Sequence, residues 1–478
     1  MAVWPLGDSG PSILLGTYGN VLLPRQLRLK AAEVAAHKHV IGITGQGKSR
    51  LLQAMFIQLL SQNVGVSMVD PHKDLARDTL AYLAQQGFFN RPQAYKRLIY
   101  IDFSLPRYIP FNVLATKGDP HDTAYSFLEA VKRAWPAIAD GTAPQLENIL
   151  LAAALVLVEA GLPVSKMHDL LTNKPYRDGL LQRVRDLEVR RFFAERYDRW
   201  GREAPLMIES TLRRVFLLTF SPVLRYTLGQ AENWLDFRRF IDSNVSVIYD
   251  LGGIENPDAR RLLGCLITVG YEMAALSRAD IAGGAGTRGQ HHLMLDEFAE
   301  YVSQSEEALA RILSLCRKYG LYVTMAHQTW SQASERLRGA LQNCGVEVVF
   351  KLGRSDAELT SHGLGHVDPY LVKDEAKTDY QKDLYLDLAS QWELWTQAIQ
   401  GLAPRQAFVK TAQRPTTRIR TVNVPDSKVD ATELDRILAT YTRMYQRPLS
   451  DVETEQGDSD SQPSDHEEPY FKRMWERR

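Results

Sequence analysis

The stretch 42-GITGQGKS-49 constrains the fold of this chain more than any other feature of its sequence. It follows the apolar run 39-HVI-41 and opens 48-KSRLLQAMFIQLLSQ-62, in which apolar residues recur at helical spacing. It fits G-x-x-x-x-G-K-[ST], the glycine-rich loop whose backbone amides surround phosphate oxygens between a strand and a helix. The sequence therefore predicts a nucleotide-binding chain built on strands that alternate with helices.

The residues of this loop have distinct predicted roles. The three glycines let the backbone approach a phosphate and adopt torsions that a Cβ atom would hinder. Lys48 can reach the β- and γ-phosphates, Ser49 can ligate magnesium, and the helix N-terminus adds partial positive charge. ATP and Mg²⁺ are the predicted cofactors. The predicted nucleotide contacts are Gly42, Thr44, Gly45, Gln46, Gly47, Lys48, Ser49 and Arg50.

An acidic pair in 293-LMLDE-297 supplies the second half of such a site, because an acidic residue is expected at the end of a buried strand. Asp296 is predicted to hold magnesium through its water shell. Glu297 is predicted to orient and deprotonate the attacking water, which implies hydrolysis rather than transfer to another substrate. Gln328 ends the strand-like stretch 322-YVTMAHQ-328, and its amide is predicted to lie near the γ-phosphate.

Two arginines are candidates for stabilising charge on the transferred phosphate. Arg317 lies near the end of the predicted helix 305-SEEALARILSLCRKYG-320, and Arg354 follows the strand-like 347-EVVFKLG-353. An arginine at the end of a helix also complements the helix dipole, so the residues alone leave both roles open.

Strand-like and helical stretches alternate on both sides of the loop, which indicates an α/β fold with a mostly parallel sheet. A hairpin is predicted at 13-ILLGTYGNVLLP-24. Strands are predicted at 40–44, 64–70, 97–102, 245–251, 292–297, 322–328 and 347–353. Between the third and fourth of these, helical periods predict an all-helical insertion with helices at 121–135, 145–161, 178–200 and 207–220.

Four segments follow from this pattern: a first part of the sheet domain at 1–112, the insertion at 113–240, a second part at 241–430, and a C-terminal segment at 431–478. The C-terminal segment begins with a helix. Its tail has eight acidic residues and no Lys or Arg between Asp451 and Glu468, and then ends in basic and aromatic residues. The tail is interpreted as either a solvated, disordered segment or a docking peptide for a partner.

Amino-acid composition indicates the cellular compartment of the chain but does not identify its binding partners. Lys and Arg number 57, as do Asp and Glu, so net charge does not favour nucleic acid or membrane. Cys265, Cys316 and Cys344 are odd in number and widely spaced, which argues against disulfides and thiolate sites and fits a reducing cytoplasm. His327 is interpreted as a packed or hydrogen-bonded histidine, and no zinc is predicted. The apolar run 149–158 is too short to cross a bilayer, and no secretory signal is recognisable.

The predicted helix at 178–200 interleaves arginines with aromatic residues, a combination that can hold phosphates and stack bases. Acidic residues sit among the arginines at spacings that allow ion pairs on a helix surface. An ordinary salt-bridged helix is favoured, and no DNA-binding residue is assigned.

An ordered series of motifs resembles the HerA/FtsK superfamily of ring-forming DNA motors over roughly residues 12 to 450. Within it, the chain is similar to the TraG/TraD-type coupling proteins of conjugation and type IV secretion. The motifs that carry the resemblance are GITGQGKS, 70-DPHKDL-75, 109-IPFNVL-114, 247-VIYDLGG-253, 295-LDEF-298, 317-RKYGL-321, 326-AHQ-328 and 352-LGRSDAE-358.

The resemblance implies a hexameric, Mg-ATP-driven translocase with a RecA-like domain, which moves DNA through a central channel. By position, Lys48 and Ser49 match the Walker A pair, and Asp296 and Glu297 match the Walker B pair. The glutamine motif corresponds to Gln328. The resemblance also favours Arg317 over Arg354 as the arginine that reaches the phosphate of a neighbouring subunit.

The sequence departs from the family before the glycine loop, which arrives too early for transmembrane helices or a β-barrel domain. We therefore expect a cytoplasmic motor with no membrane span of its own, recruited to a membrane only through a partner. One alternative is a HerA-like motor that works with a nuclease in DNA processing or phage defence. Two others are a nucleotide-gated docking platform for a relaxase or effector protein, and a polypeptide-secretion ATPase.

Overall fold

A computed structural model of the chain describes residues 10–20, 22–104, 106–115, 118–135, 144–282, 288–302, 312–368, 372–374 and 384–449. The chain forms two compact units. The first takes its described residues from Met1–Met68, Gly283–Ala299 and Leu309–Asp426. The second takes them from Val69–Ala282, Glu300–Ala308 and Ser427–Arg478.

The strands are β1 (Ile13–Tyr18), β2 (Arg25–Leu29), β3 (Lys38–Ile41), β4 (Gly65–Asp70), β5 (Leu98–Asp102), β6 (Arg107–Tyr108), β7 (Ser246–Asp250), β8 (His291–Leu295), β9 (Leu321–His327), β10 (Val346–Val349), β11 (Val372–Asp374), β12 (Leu384–Tyr385), β13 (Gln406–Thr411), β14 (Arg414–Thr421) and β15 (Arg447–Pro448). The helices are α1 (Ala31–Val34), α2 (Lys48–Ser61), α3 (Asp74–Gln85), α4 (Ala94–Arg97), α5 (Pro120–Ala134), α6 (Pro144–Ala160), α7 (Met167–Thr172), α8 (Lys174–Leu181), α9 (Leu187–Arg191), α10 (Ala204–Phe220), α11 (Pro222–Leu228), α12 (Phe237–Asp242), α13 (Pro257–Ser277), α14 (Ala299–Val302), α15 (Glu335–Gln342), α16 (Arg354–Leu364), α17 (Leu388–Gln400) and α18 (Ala431–Tyr445).

The first unit is built on strands in the order β2-β1-β14-β13-β10-β3-β9-β8-β4, and the chain leaves this unit within β4. β10, β3, β9 and β8 pair in parallel, whereas β13, β14, β1 and β2 pair antiparallel. The registers Val349↔Ile41 and Ile41↔His327 bring the carboxyl ends of β10, β3 and β9 side by side. Residues that follow these strands therefore meet at one edge, where parallel α/β sheets bind ligands.

The N-terminal hairpin is longer than predicted. Its strands are β1 and β2, so the second strand begins after Pro24 rather than ending there. Leu22 and Leu23 are 85% and 82% exposed and belong to the turn, although their apolar character suggested a strand. The strands predicted on both sides of the insertion are present, most of them with ends shifted by one to four residues.

The second unit contains the parallel pair β5 and β7 together with helices α5 to α13. Helices α5, α6 and α10 confirm the helices predicted at 121–135, 145–161 and 207–220. Arg133 on α5 and Glu272 on α13 form an ion pair of 2.7 Å in which both side chains are fully buried. The described residues thus confirm an α/β fold with a mostly parallel sheet and a helical segment between β6 and β7.

The single helix predicted at 178–200 is wrong. Helix α8 ends at Leu181 and α9 begins at Leu187, because Asp186 accepts hydrogen bonds from the backbone amides of Glu188 and Val189 and so starts a new helix. A π-helical turn at Phe192–Tyr197 follows. Residues 305–311 of the helix predicted at 305–320, and the whole tail from 450, lie outside the described residues. The described remainder of that helix is helical at 312–315 and ends in a 3₁₀ turn at Cys316–Tyr319.

One helical segment among the described residues, Pro257–Asp280, is long and apolar enough to span a membrane by length and composition. The most apolar part of this segment is 72% buried within the protein. This burial is typical of a core helix. The apolar run 149–158 lies in α6, whose residues are mostly buried, as predicted.

Buried basic groups lie at the amino end of β3, opposite the glycine loop. Lys38 is fully buried and donates hydrogen bonds to the carbonyl oxygens of Val34 and Ala36 at 2.7 and 2.8 Å. Burial lowers the pKa of Lys38 to about 7. His37 accepts a hydrogen bond from the amide of Val323 through Nδ1. Burial, with the charges of Lys38 and Arg317, lowers the pKa of His37 to about 4.

We expect His37 to make the folded chain less stable in acid. Because its pKa is below the unfolded value of 6.5, the unfolded state binds more protons between pH 6.5 and 4, and stability falls as pH falls through that window. The loss between pH 6.5 and 5 is about 2 kcal/mol. His37→Asn keeps an acceptor for Val323 and should remove this loss, as measured by urea unfolding at pH 7 and pH 5.

The half-exposed His168 supplies the control for this prediction. His168→Asn should retain the full loss of stability in acid. Equal losses in His37→Asn and the wild type would show that His37 does not contribute to the pH dependence.

Candidate nucleotide-binding site

The glycine loop leaves β3 at the edge where the parallel strands end. The amide of Gly42 donates to the carbonyl of His327 at 3.3 Å, and the amide of Ile43 donates to that of Lys351 at 3.0 Å. A Cβ atom on Gly42 would lie 2.5 Å from the Cβ of Phe350, so only glycine fits there without displacement. The loop is thus anchored on strands β9 and β10 before it turns toward α2.

Gly45 and Gly47 give the loop its shape. Their φ angles are 79° and 105°, in the region that side chains other than glycine rarely adopt. Gly47 directly precedes α2, whose first residue is Lys48. A glycine loop that leads directly into the N-terminus of a helix is the arrangement that binds phosphate groups through backbone amides.

Lys48 is held across the base of this loop. Its Nζ atom donates to the carbonyl oxygens of Gly42 at 2.6 Å and Ile43 at 3.4 Å, and the residue is 7% exposed. Burial lowers the pKa of Lys48, and the carboxylates of Glu297 and Asp296 oppose that shift. The ammonium group of Lys48 therefore lies close enough to the carboxylates of Asp296 and Glu297 to interact with their charges.

Ser49 and Asp296 meet at the start of α2. The Oγ atom of Ser49 lies 3.5 Å from Oδ2 of Asp296, which directly follows β8. Magnesium takes oxygen ligands at about 2.0–2.1 Å and keeps several waters. A hydroxyl and a carboxylate at this separation suit a magnesium ion bound to the hydroxyl directly and to the carboxylate through water. The donor set fits the predicted ion.

Gln328 links the glycine loop to the predicted catalytic base. The Oγ1 atom of Thr44 donates to Oε1 of Gln328 at 2.9 Å, and Nε2 of Gln328 donates to Oε1 of Glu297 at 2.8 Å. Glu297 has a φ of 46°, a conformation uncommon for residues other than glycine. Strained backbone of this kind is typical of functional sites. The three side chains form one chain of hydrogen bonds from the loop to the carboxylate.

Buried histidines connect the two strands below this chain. Nδ1 of His327 donates to the carbonyl of Thr329 at 2.9 Å, so its Nε2 accepts a hydrogen bond from Nε2 of His39 at 2.8 Å. Burial and the nearby His39 lower the pKa of His327 well below its usual value, which keeps its ring neutral. His327 is thus packed and hydrogen-bonded, as the sequence predicted. The pair joins β3 to β9, three residues before Gly42 on one strand and directly before Gln328 on the other.

The structure gives other contacts, or a distant position, to three arginines proposed from the sequence. Arg317 is exposed in the turn before β9, whereas Gln328 follows that strand, so the strand length separates the two residues by roughly 20 Å. Arg354 is exposed and pairs with Glu393 and Glu358. The side chain of Arg50 donates to Gln53 and Asp426.

Two contacts of the loop have no signal in the local sequence. Phe350 packs on Gly42, and Arg405 lies against the other end of the loop, where its backbone amide donates to the carbonyl of Gln46 at 2.9 Å. Both residues are distant from the loop along the chain and belong to no nucleotide-binding motif. Only the pairing of the strands brings them to it.

Residues 290–391 match a family described as the TraM recognition site of TraD and TraG. This region contains Asp296, Glu297, Arg317 and Gln328. A comparison with curated proteins gave no match.

Solved structures share the fold over most of the chain. An unbound form of the bacterial conjugative coupling protein TrwB, TrwBdeltaN70, has 19% identity and a TM-score of 0.55, with 83% of this chain and 87% of that chain covered. TrwB in complex with ADP and Mg²⁺ has 18% identity and a TM-score of 0.53, covering 84% and 88%. VirB4 of Thermoanaerobacter pseudethanolicus has 12% identity and a TM-score of 0.53, covering 88% and 98%. These structures confirm the predicted RecA-like fold, and the family match at 290–391 supports the resemblance to TraG/TraD-type proteins in that region.

Proposed function

We propose that this chain, which resembles TraG/TraD-type coupling ATPases in a defined region and in fold, is an ATP-hydrolysing motor that moves DNA. The observation that carries the proposal is the chain of hydrogen bonds from Thr44 through Gln328 to Glu297, beside Ser49 and Asp296. An anion-binding loop, a pair of magnesium-binding groups and a positioned base together suit hydrolysis of a nucleoside triphosphate.

Each residue has a defined task in the proposed reaction. Lys48 and the loop amides bind the phosphates, while Ser49 and Asp296 hold magnesium, which neutralises charge on the β- and γ-phosphates when bound. Glu297 accepts a proton from water as the water oxygen bonds to the γ-phosphorus and the bond to the β,γ-bridging oxygen breaks. Gln328 holds Glu297 in place, and Thr44 in the loop positions Gln328. Nucleotide binding to the loop can therefore alter the position of the catalytic base Glu297.

The wider assembly is also proposed. We infer a ring of six subunits, as the resemblance implies. Nucleotide binding does not require the ring, but Arg317 needs it to act on the site of a neighbouring subunit. The matched region at 290–391 supports contact with a protein partner, because the family is described as the TraM recognition site of TraD and TraG. A relaxase or nuclease partner is proposed from the resemblance alone. A nucleotide-gated docking platform is the second candidate function that this description favours.

We also propose the domain division predicted from the sequence. It consists of a sheet domain at 1–112 and 241–430, an insertion at 113–240 and a C-terminal segment at 431–478.

The decisive experiment measures steady-state ATP hydrolysis by the purified protein with magnesium, in the presence and absence of single- and double-stranded DNA. We expect DNA to stimulate turnover, because a motor hydrolyses ATP productively only on its track. Glu297→Gln supplies the blank for contaminating ATPases. Turnover that is indifferent to both forms of DNA would overturn the motor and favour the docking platform or protein secretion.

A further inference from the structure

We infer that Arg405 is a further nucleotide-binding residue, which acts on the glycine loop of its own subunit. The inference rests on the proposed nucleotide site and extends it by a residue that lies in no recognised motif. Arg405 stands in the turn between α17 and β13, and Gln406 is the first residue of β13. It lies more than 350 positions from the loop along the chain.

The main chain of Arg405 ties the loop to the antiparallel part of the sheet. Its amide donates to the carbonyl of Gln46 at 2.9 Å, and its own carbonyl accepts from the amide of Thr421 at 2.8 Å. The φ angle of Arg405 is 65°, a left-handed conformation that glycine adopts more readily than arginine. An arginine retained in this conformation suggests that its side chain has a use that glycine would not provide.

The side chain of Arg405 lies along the loop. A Cβ atom on Gly47 would be 3.5 Å from the Cγ atom of Arg405, so the aliphatic stem covers that glycine. One terminal nitrogen, Nη2, donates to the carbonyl of Thr421 at 3.0 Å, which fixes the guanidinium. The Nε atom is buried and has no hydrogen-bond partner within the described residues. A buried donor without an acceptor is costly, and such groups are usually satisfied in the functional state.

A phosphate oxygen is the acceptor that best suits this donor. Guanidinium groups bind phosphate through several N–H groups and keep their charge when partly buried. The part of the loop that includes Gly47 surrounds the α- and β-phosphates, whereas Lys48 extends toward the β- and γ-phosphates. Arg405 is therefore assigned to the α,β-phosphate side, and it should contribute to binding of ADP and ATP alike.

The test measures dissociation constants for ADP and ATP with magnesium, using the full chain. Arg405→Met keeps a long stem over Gly47 and the same backbone demand but has no donor. We expect it to weaken binding of both nucleotides by about ten- to a hundredfold. Arg405→Lys keeps the charge and should recover part of the affinity. Arg418→Met is the matched control, since Arg418 is exposed on β14 and its side chain donates to Gln406 rather than lying on the loop.

Further variants separate the possible outcomes. Arg405→Gly relieves the left-handed backbone and keeps the amide bonded to Gln46, so it tests the side chain even if Arg405→Met folds poorly. Wild-type affinity in both Arg405→Met and Arg405→Gly would overturn the inference while leaving the proposed site intact. If Lys48→Ala also bound nucleotide like the wild type, the proposed site itself would be wrong. Weak binding in Arg405→Met and Lys48→Ala, with normal binding in Arg418→Met, supports the assignment.

Discussion

Glu297→Gln is expected to bind ATP as the wild type does and to lower hydrolysis by about 10²–10⁴-fold. The substituted side chain still offers an Oε1 atom to Nε2 of Gln328, which now lies 2.8 Å from the carboxylate, so the geometry of the site should be preserved. It has no lone pair basic enough to take a proton from water. The expected defect is therefore confined to the chemical step.

Two measurements separate binding from chemistry in this variant. Equilibrium binding of a fluorescent ATP analogue should be unchanged, and single-turnover hydrolysis should be slow. Glu335→Gln, an exposed carboxylate on α15 in the same unit, should match the wild type in both measurements. Hydrolysis by Glu297→Gln at the wild-type rate would contradict the assignment of the base, and a loss of binding would indicate a structural role for Glu297.

The parallel core could be predicted because its strands are buried on both faces and read as continuous apolar runs. β4 and β9, for example, are buried along their whole length and lie within one residue of the predicted stretches. The hairpin was harder to place, since the turn contains exposed Leu22 and Leu23 and the second strand, Arg25–Leu29, is rich in polar residues. An edge strand with little burial carries a weak sequence signal.

The segment between β6 and β7 shows that helical periodicity does not predict where a helix ends. The periodicity at 178–200 is helical throughout, yet Asp186 caps a new helix there because its side chain bonds two backbone amides. Tertiary contacts add to this break, since the hydroxyl of Tyr197 donates to the carbonyl of Leu171 at 2.7 Å. Periodicity detects which face of a segment is apolar, but it does not show where the axis changes direction.

The residues of the candidate site also fall into two groups, those that the local sequence predicts and those that it does not. Lys48, Ser49, Asp296 and Glu297 could be identified because each lies at the end of a strand or the start of a helix within a motif. Arg405 could not, because its position depends on the pairing of β13 with β10 and β14. Motifs mark residues whose local backbone is constrained, whereas a side chain delivered by a distant turn needs the assembled sheet.

Arg317→Ala is expected to leave nucleotide binding intact and to lower turnover of the assembled protein by about 10³–10⁵-fold, the range found for arginines supplied by a neighbouring subunit. The strand β9 separates Arg317 from Gln328, so Arg317 does not serve the site of its own subunit. Its exposure leaves it available to a second copy of the chain. Lys318→Ala, an exposed basic neighbour in the same turn, is the matched control and should retain more turnover.

Mixing two inactive variants tests this role directly. Lys48→Ala subunits have a defective loop but an intact Arg317, whereas Arg317→Ala subunits have the reverse. An interface between the two kinds restores one complete site, so turnover should reappear in mixtures and be largest near equal amounts. Because neither variant hydrolyses ATP alone, any recovery requires a residue supplied in trans. No recovery at any ratio, in mixtures shown to assemble together, would mean that Arg317 does not act across subunits.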